Sequence, residues 1–258
     1  MNALAQAAAR DRLMVLGGLT LLCLLSWLYL FYLAWSMAAM PAAMAMAGPQ
    51  LHGWSPTEAL LCLVMWVVMM AGMMIPSAAP MILVFTATSR RRHAQGHPYV
   101  PTSLFVLGYL AVWSAFSVAA TAAQWGLHTA ALLSPTLLKS TSPLLGGALL
   151  VIAGIFQWTP LKRRCLSHCR SPLGFLLNDW RDGRLGALVM GLRHGLFCLG
   201  CCWALMGLIF VTGVMNLLWV ALLGVFVLAE KVAPCERWVS GGAGALLVGW
   251  GLWLAVMG

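Results

Sequence analysis

Ala59–Phe85 reads ALLCLVMWVVMMAGMMIPSAAPMILVF, 27 residues without a charge. A helix needs about 20 apolar residues to cross a hydrocarbon core about 30 Å thick. The stretch lacks the apolar–polar alternation of a barrel strand. In lipid every backbone N–H and C=O must find a partner inside the protein, so such a stretch is a helix. The bilayer therefore becomes the solvent in which the rest of the chain is read.

Composition agrees with that reading. The chain has 258 residues, of which 62% are hydrophobic and 8% charged. A soluble domain carries about 25% charged residues. Six further apolar runs follow the same logic: Leu13–Trp35, Leu104–Leu132, Leu144–Trp158, Leu185–Thr212, Met215–Leu228 and Val239–Val256. The fourth and sixth of the seven runs are short. The first run is too long for a secretory core of about 7–15 residues and reads as an anchor. The expected fold is an all-α polytopic transmembrane bundle of about seven spans, one integral membrane domain over residues 1–258.

Charge orients this bundle. Thirteen of the 15 basic residues fall on one side of the runs, from Arg10 and Arg12 through Arg90–Arg92 and Lys162–Arg184 to Lys231 and Arg237. Only Lys139 falls on the other side, and Arg193 lies inside the fifth run. The positive-inside rule places the N-terminus in the cytoplasm and the C-terminus outside. The net charge of +9 belongs to these loops, and no nucleic-acid module accompanies it.

Pro76 and Pro80 interrupt the second run. Each removes a donor and crowds the carbonyl four residues back, so a kink or an unwound turn is expected.

The chemistry sits in three places. The fifth run contains HGLFCLGCCWALM, His194–Met206. At about 100° per residue, His194, Cys198, Cys201 and Cys202 share one helix face. Gly183, Ala187, Gly191 and Gly195 follow a four-residue ridge on much the same side, which lets a neighbouring helix approach closely. Arg193 within this run needs a partner, and Asp179, Asp182 and Glu230 are the candidates. In the second run Met65, Met69 and Met73 form a stripe of thioethers beside Cys62. Methionine fills irregular cores, so packing accounts for most such stripes. If the two runs face each other, Met69 and Met73 match Cys198 and Cys201 in depth. Between the fourth and fifth runs, KRRCLSHCR holds Cys165, His168 and Cys169 at helical i, i+3, i+4 spacing. All three can converge on one ion there, and the surrounding cations favour thiolate, the ligand form. An outer loop adds Met37, Met40, Met44, Met46 and His52. Thioethers select Cu(I), while zinc remains open at the Cys/His cluster.

Three blocks carry a family resemblance: MWVVMMAGMMIPSAAP (Met65–Pro80), TPLKRRCLSHCRSPLGFL (Thr159–Leu176) and GLRHGLFCLGCCWALM (Gly191–Met206). They resemble the signature blocks of a bacterial family known as predicted metal-binding integral membrane proteins, a domain of unknown function. The resemblance covers a core of about residues 59–232. It implies a polytopic bacterial membrane protein with Cys165, His168, Cys169, His194, Cys198, Cys201 and Cys202 as candidate metal ligands, and no settled reaction.

No Walker motif, aspartyl-phosphate motif, nucleophile elbow or nicotinamide fingerprint is present. Bis-histidine haem lacks two inward histidines at one depth. The expected function is non-enzymatic: soft-metal handling, with Cu(I) as the ion and a metallochaperone or membrane metalloenzyme as partner. A membrane thiol oxidoreductase using Cys198 and Cys201 is one alternative, and a non-catalytic assembly subunit is another.

Overall fold

The computed structural model describes residues 3–38, 55–133 and 142–257. Among them the chain is a bundle of ten helices: α1 Ala3–Ala38, α2 Pro56–Ala94, α3 Thr102–Thr129, α4 Pro143–Phe156, α5 Pro160–Arg170, α6 Pro172–Asp179, α7 Gly183–Gly207, α8 Ile209–Thr212, α9 Leu217–Val232 and α10 Glu236–Met257. Every apolar run of the sequence folds as helix.

Five of these helical stretches are long and apolar enough to cross a membrane: α1, α2, α3, the α7–α8 pair and α10. The seven crossings expected from the runs are therefore not all matched by helix length. The fourth run is a 14-residue helix, because Thr159 and Pro160 start a new one. Thr159 Oγ1 accepts from the Lys162 amide at 3.3 Å, and Pro160 occupies the first turn, where a missing N–H costs nothing. The result is a 64° bend between α4 and α5, and counting that pair as one span raises the number to six. The sixth run, α9, has only 16 residues. It begins after a turn at Gly213, whose φ of +101° suits glycine and few other residues.

α2 has the clearest start signal. Ser55 and Glu58 form a reciprocal capping box, with Pro56 in the first turn. The helix continues through Pro76 and Pro80 to Ala94 without an unwound turn. The carbonyl that Pro76 frees is that of Gly72, and the Cys23 thiol of α1 donates to it at 3.5 Å. A neighbouring helix thus supplies the donor that the proline removes.

Between apolar helices in lipid, hydrophobic burial supplies little drive, and close backbone contact takes its place. α3 and α7 meet at Gly108, Gly191 and Gly195; a Cβ on Gly195 would lie 2.9 Å from Val112 Cγ2. The small-residue ridge of the fifth run therefore packs on α3. α4 and α10 meet at two glycine pairs, Gly147 with Gly251 and Gly154 with Gly244. A Cβ on Gly154 would lie 2.7 Å from the Gly244 carbonyl oxygen. α1 packs along α2, and α5 folds back onto α7. The buried centre holds Trp66, Met69, Met70, Met74, Phe85, Phe105, Tyr109 and Trp113, while α1 and α10 are mostly exposed.

Candidate metal centre

The fold-back of α5 brings together two cysteine blocks that are about 30 residues apart in sequence. Cys169, buried on the inner face of α5, sets its thiol against those of Cys198 and Cys201 of α7. Cys202, also buried, lies against the same two thiols. Along α7, Cys201 and Cys202 also donate to the Cys198 carbonyl, at 3.1 and 3.0 Å. Cys169, Cys198, Cys201 and Cys202 are all buried. Cys165, one turn before Cys169, is only half-buried. Its Sγ lies where a Cβ on Gly200 would come within 2.7 Å.

Two side chains complete the surroundings of Cys198. Lys231, at the end of α9, reaches across with Nζ 3.0 Å from Cys198 Sγ and 2.8 Å from Ser77 Oγ of α2. The Tyr109 hydroxyl lies 3.2 Å from the same sulfur and donates to the Met74 carbonyl at 3.1 Å. His194, one turn before Cys198, is 1% exposed, and neither ring nitrogen has a hydrogen-bond partner. Phe105, Tyr109 and Phe175 enclose its ring, with centroids 5.7–6.0 Å away. A buried polar ring without partners is costly, and a ligand is one of the few things that would offset it.

Other candidates fall elsewhere. His168 does not join Cys165 and Cys169 around one ion. It is exposed, stacked on Phe197 at 4.2 Å, with Nδ1 2.8 Å from the Arg164 carbonyl. Met65, Met69 and Met73 are core residues, and Met73 packs against Gly224 of α9. The second span reaches the thiols through Ser77, Lys231 and Tyr109 rather than through this stripe. Met37 ends α1, while Met40, Met44, Met46 and His52 lie outside the described residues.

Arg193 pairs with Asp179. Asp182 instead accepts from the Trp180 indole at 2.8 Å, and that bond, with Arg92 nearby, holds its carboxyl below the usual range. Glu230 takes Lys162: Nζ donates to both carboxylate oxygens at 2.7–2.8 Å, and both residues are almost wholly buried. Ser240 Oγ donates to the same carboxylate at 2.8 Å. Lys162 and Lys231 are therefore interior groups, not the solvated loop charges that their positions at the ends of apolar runs suggest. Nothing in helical periodicity marks Tyr109, Ser77 or Lys231 as parts of one site. The only visible sign was a Glu-Lys pair closing an apolar helix.

Among the described residues, no group of three or more His, Cys, Asp or Glu side chains is arranged so that it could hold a metal ion. What the structure does present is a buried group of thiols with one ammonium beside it. Thiolates are soft ligands suited to Cu(I), which two of them can hold.

A bundle of long apolar helices closed around thiols defines a helical protein whose reactive groups are buried and mostly sulfur. More particularly, the chain belongs to the PpoB2 family, described as copper chaperones, whose model matches residues 63–254. The matched region runs from α2 into α10 and includes all of the thiols of the centre. No curated protein and no solved structure matches the chain.

Proposed function

We propose that the protein is a membrane-embedded copper chaperone that carries Cu(I) as cargo on the buried thiols Cys169, Cys198, Cys201 and Cys202 and passes it to a copper-requiring protein. The observation that carries this reading is the meeting of Cys169 with Cys198 and Cys201. Family membership supports copper as the ion.

Charge balance supports a monovalent ion on two thiolates. Cu(I) with two thiolates is an anion of charge −1. An uncompensated charge in an apolar interior is expensive. The Lys231 ammonium, already 3.0 Å from Cys198 Sγ, makes the assembly neutral. His194, one turn before Cys198 and without a hydrogen-bond partner at either nitrogen, serves as a further donor to the ion. The thioethers of Met65, Met69 and Met73 serve as soft filling around this path. Met40, Met44, Met46 and His52, with Met37 at the end of α1, serve as an outer capture set. The basic loops set the N-terminus inside and the C-terminus outside a bacterial inner membrane.

The test is copper content. Protein purified in detergent under reducing conditions and exposed to Cu(I) is compared with a variant carrying Cys198→Ser, Cys201→Ser and Cys202→Ser. Stoichiometric copper in the parent and none in the variant is expected. Equal, negligible copper in both would sink the reading. A reducible disulfide in the parent in place of copper would support a thiol oxidoreductase instead.

A further inference from the structure

Four of the five thiols at this centre are buried, so an ion bound there must pass something to arrive or leave. Cys165 is the fifth, and it is half-buried. It sits on the same face of α5 as Cys169, one turn away. Its Sγ rests over Gly200, the glycine of the Cys198–Leu199–Gly200–Cys201 segment. A Cβ at that position would come within 2.7 Å of the sulfur, so glycine is what lets the thiol lie there. Chain and space together make a continuous row, from the half-exposed Cys165 to Cys201 and Cys169 and then to Cys198 and Cys202.

From this row we propose that Cys165 is the exchange thiol of the centre: it takes Cu(I) from a thiol carrier outside the bundle and hands it to Cys201 and Cys169, and it does the reverse on delivery. The proposal rests on the copper reading above and goes beyond it by assigning the route.

The step is ligand exchange without redox change. Cys165 attacks Cu(I) held between two carrier thiolates. A Cys165 sulfur–copper bond forms and one carrier sulfur–copper bond breaks. The Cys165 proton leaves with the departing carrier thiol. Cys201 then displaces the second carrier sulfur, and its proton goes to that thiol. Finally Cys169 replaces Cys165, returning its own proton to the Cys165 thiolate. Copper remains Cu(I) throughout. Each intermediate has two or three sulfur ligands, so the ion is never bare in an apolar interior.

A thiol that acts in transit affects rates and leaves the equilibrium alone. A thiol that is a permanent ligand, or only a packing group, does not behave that way. The experiment follows transfer from Cu(I)–glutathione to the full-length protein in detergent by stopped flow, with equilibrium affinity measured separately against a chromogenic Cu(I) chelator. Cys165→Ser is expected to slow uptake and chelator-driven release alike, by about tenfold or more, because exchange depends on thiol access. Its copper stoichiometry and affinity are expected to stay parental. Gly200→Ala keeps every thiol and displaces the Cys165 sulfur, so it is expected to slow exchange in the same sense. Should Cys165→Ser not fold, the Gly200→Ala protein and a Cys165→Ala protein carry the same test.

Parental exchange rates in the variants would overturn the route while leaving copper binding in place. Loss of equilibrium binding in Cys165→Ser would overturn it too, by making Cys165 a resident ligand. Absence of copper from the parent would overturn the copper reading, and the route with it.

Discussion

Cys198 has three kinds of neighbour: thiols, a phenol and an ammonium. The last sets the electrostatics of the centre. Lys231 Nζ has Ser77 Oγ and Cys198 Sγ as partners and lies deep in the bundle. Replacing it by methionine keeps the stem and removes the charge. A copper–bis-thiolate left unbalanced loses about 2–5 kcal/mol, the cost of removing one member of a buried charge pair. Lys231→Met is therefore expected to weaken Cu(I) binding at least about thirtyfold. Lys231→Arg should weaken it less. Competition against a Cu(I) chelator reads both, and unchanged affinity in Lys231→Met would remove the charge-balance argument. The neighbouring pair behaves differently. Lys162 and Glu230 are 1% and 2% exposed. Glu230→Gln strands the ammonium and is expected to cost about 3–5 kcal/mol of stability. A double replacement, Lys162→Met with Glu230→Leu, should recover most of that. Thermal unfolding in detergent distinguishes the two outcomes, and equal damage from both would show that the pair is not the origin of the loss.

Helix against helix, the glycine seam between α4 and α10 makes a sharper demand than hydropathy does. Gly154 lies where a Cβ would be 2.7 Å from both the Gly244 carbonyl oxygen and Val248 Cγ2. Gly154→Val must push the helices apart, and overpacking of that kind costs about 1–3 kcal/mol. Gly249, also in α10, has open space around it. Gly249→Ala is expected to be neutral or to stabilise by up to about 1 kcal/mol, the helix-propensity difference. Melting temperatures that fall equally for the two would refute a seam. The ridge of Gly191 and Gly195 on α7 was legible in the sequence because close packing in lipid selects small residues at regular spacing. The fold-back of α5 was not. KRRCLSHCR carries helical spacing, but spacing fixes only which residues share a face, not which helix that face meets. Cys165 and Cys169 could thus be read as a separate cluster with His168, whereas α5 turns its two thiols toward α7 and leaves the imidazole on Phe197. Lys231 was hidden for a related reason. A lysine at the end of an apolar run reads as a loop charge until a tertiary partner, here Cys198, is known.

Across the whole molecule the question is which side Cys165 opens to, and this turns on α4. At 1.5 Å per residue its 14 residues span about 21 Å, short of a core about 30 Å thick. If α4 and the bent α5 together form a re-entrant hairpin, three crossings precede Arg181. If α4 crosses, four do. The structure decides between them, and the charge rule agrees: Arg92 lies 3.4 Å from Asp182 and over the Trp180 ring, so the end of α2 and the start of α7 share one side. Arg163, Arg164, Arg181 and Arg184 all follow α4, and on the re-entrant path they would sit outside, opposite Arg90–Arg92. Placing them inside requires α4 to cross, with the bilayer thinned locally or the Thr159–Pro160 bend held at the interface, at a cost of fractions of a kcal/mol per Å of mismatch. That cost is small against the bias from a cluster of cations. A topology reporter inserted after Arg181 is therefore expected to report the cytoplasm. A membrane-impermeant thiol reagent should then label Cys165 in inverted vesicles and not in intact cells. Labelling of Cys165 in intact cells, with the reporter outside, would put the proposed exchange thiol on the outer side instead.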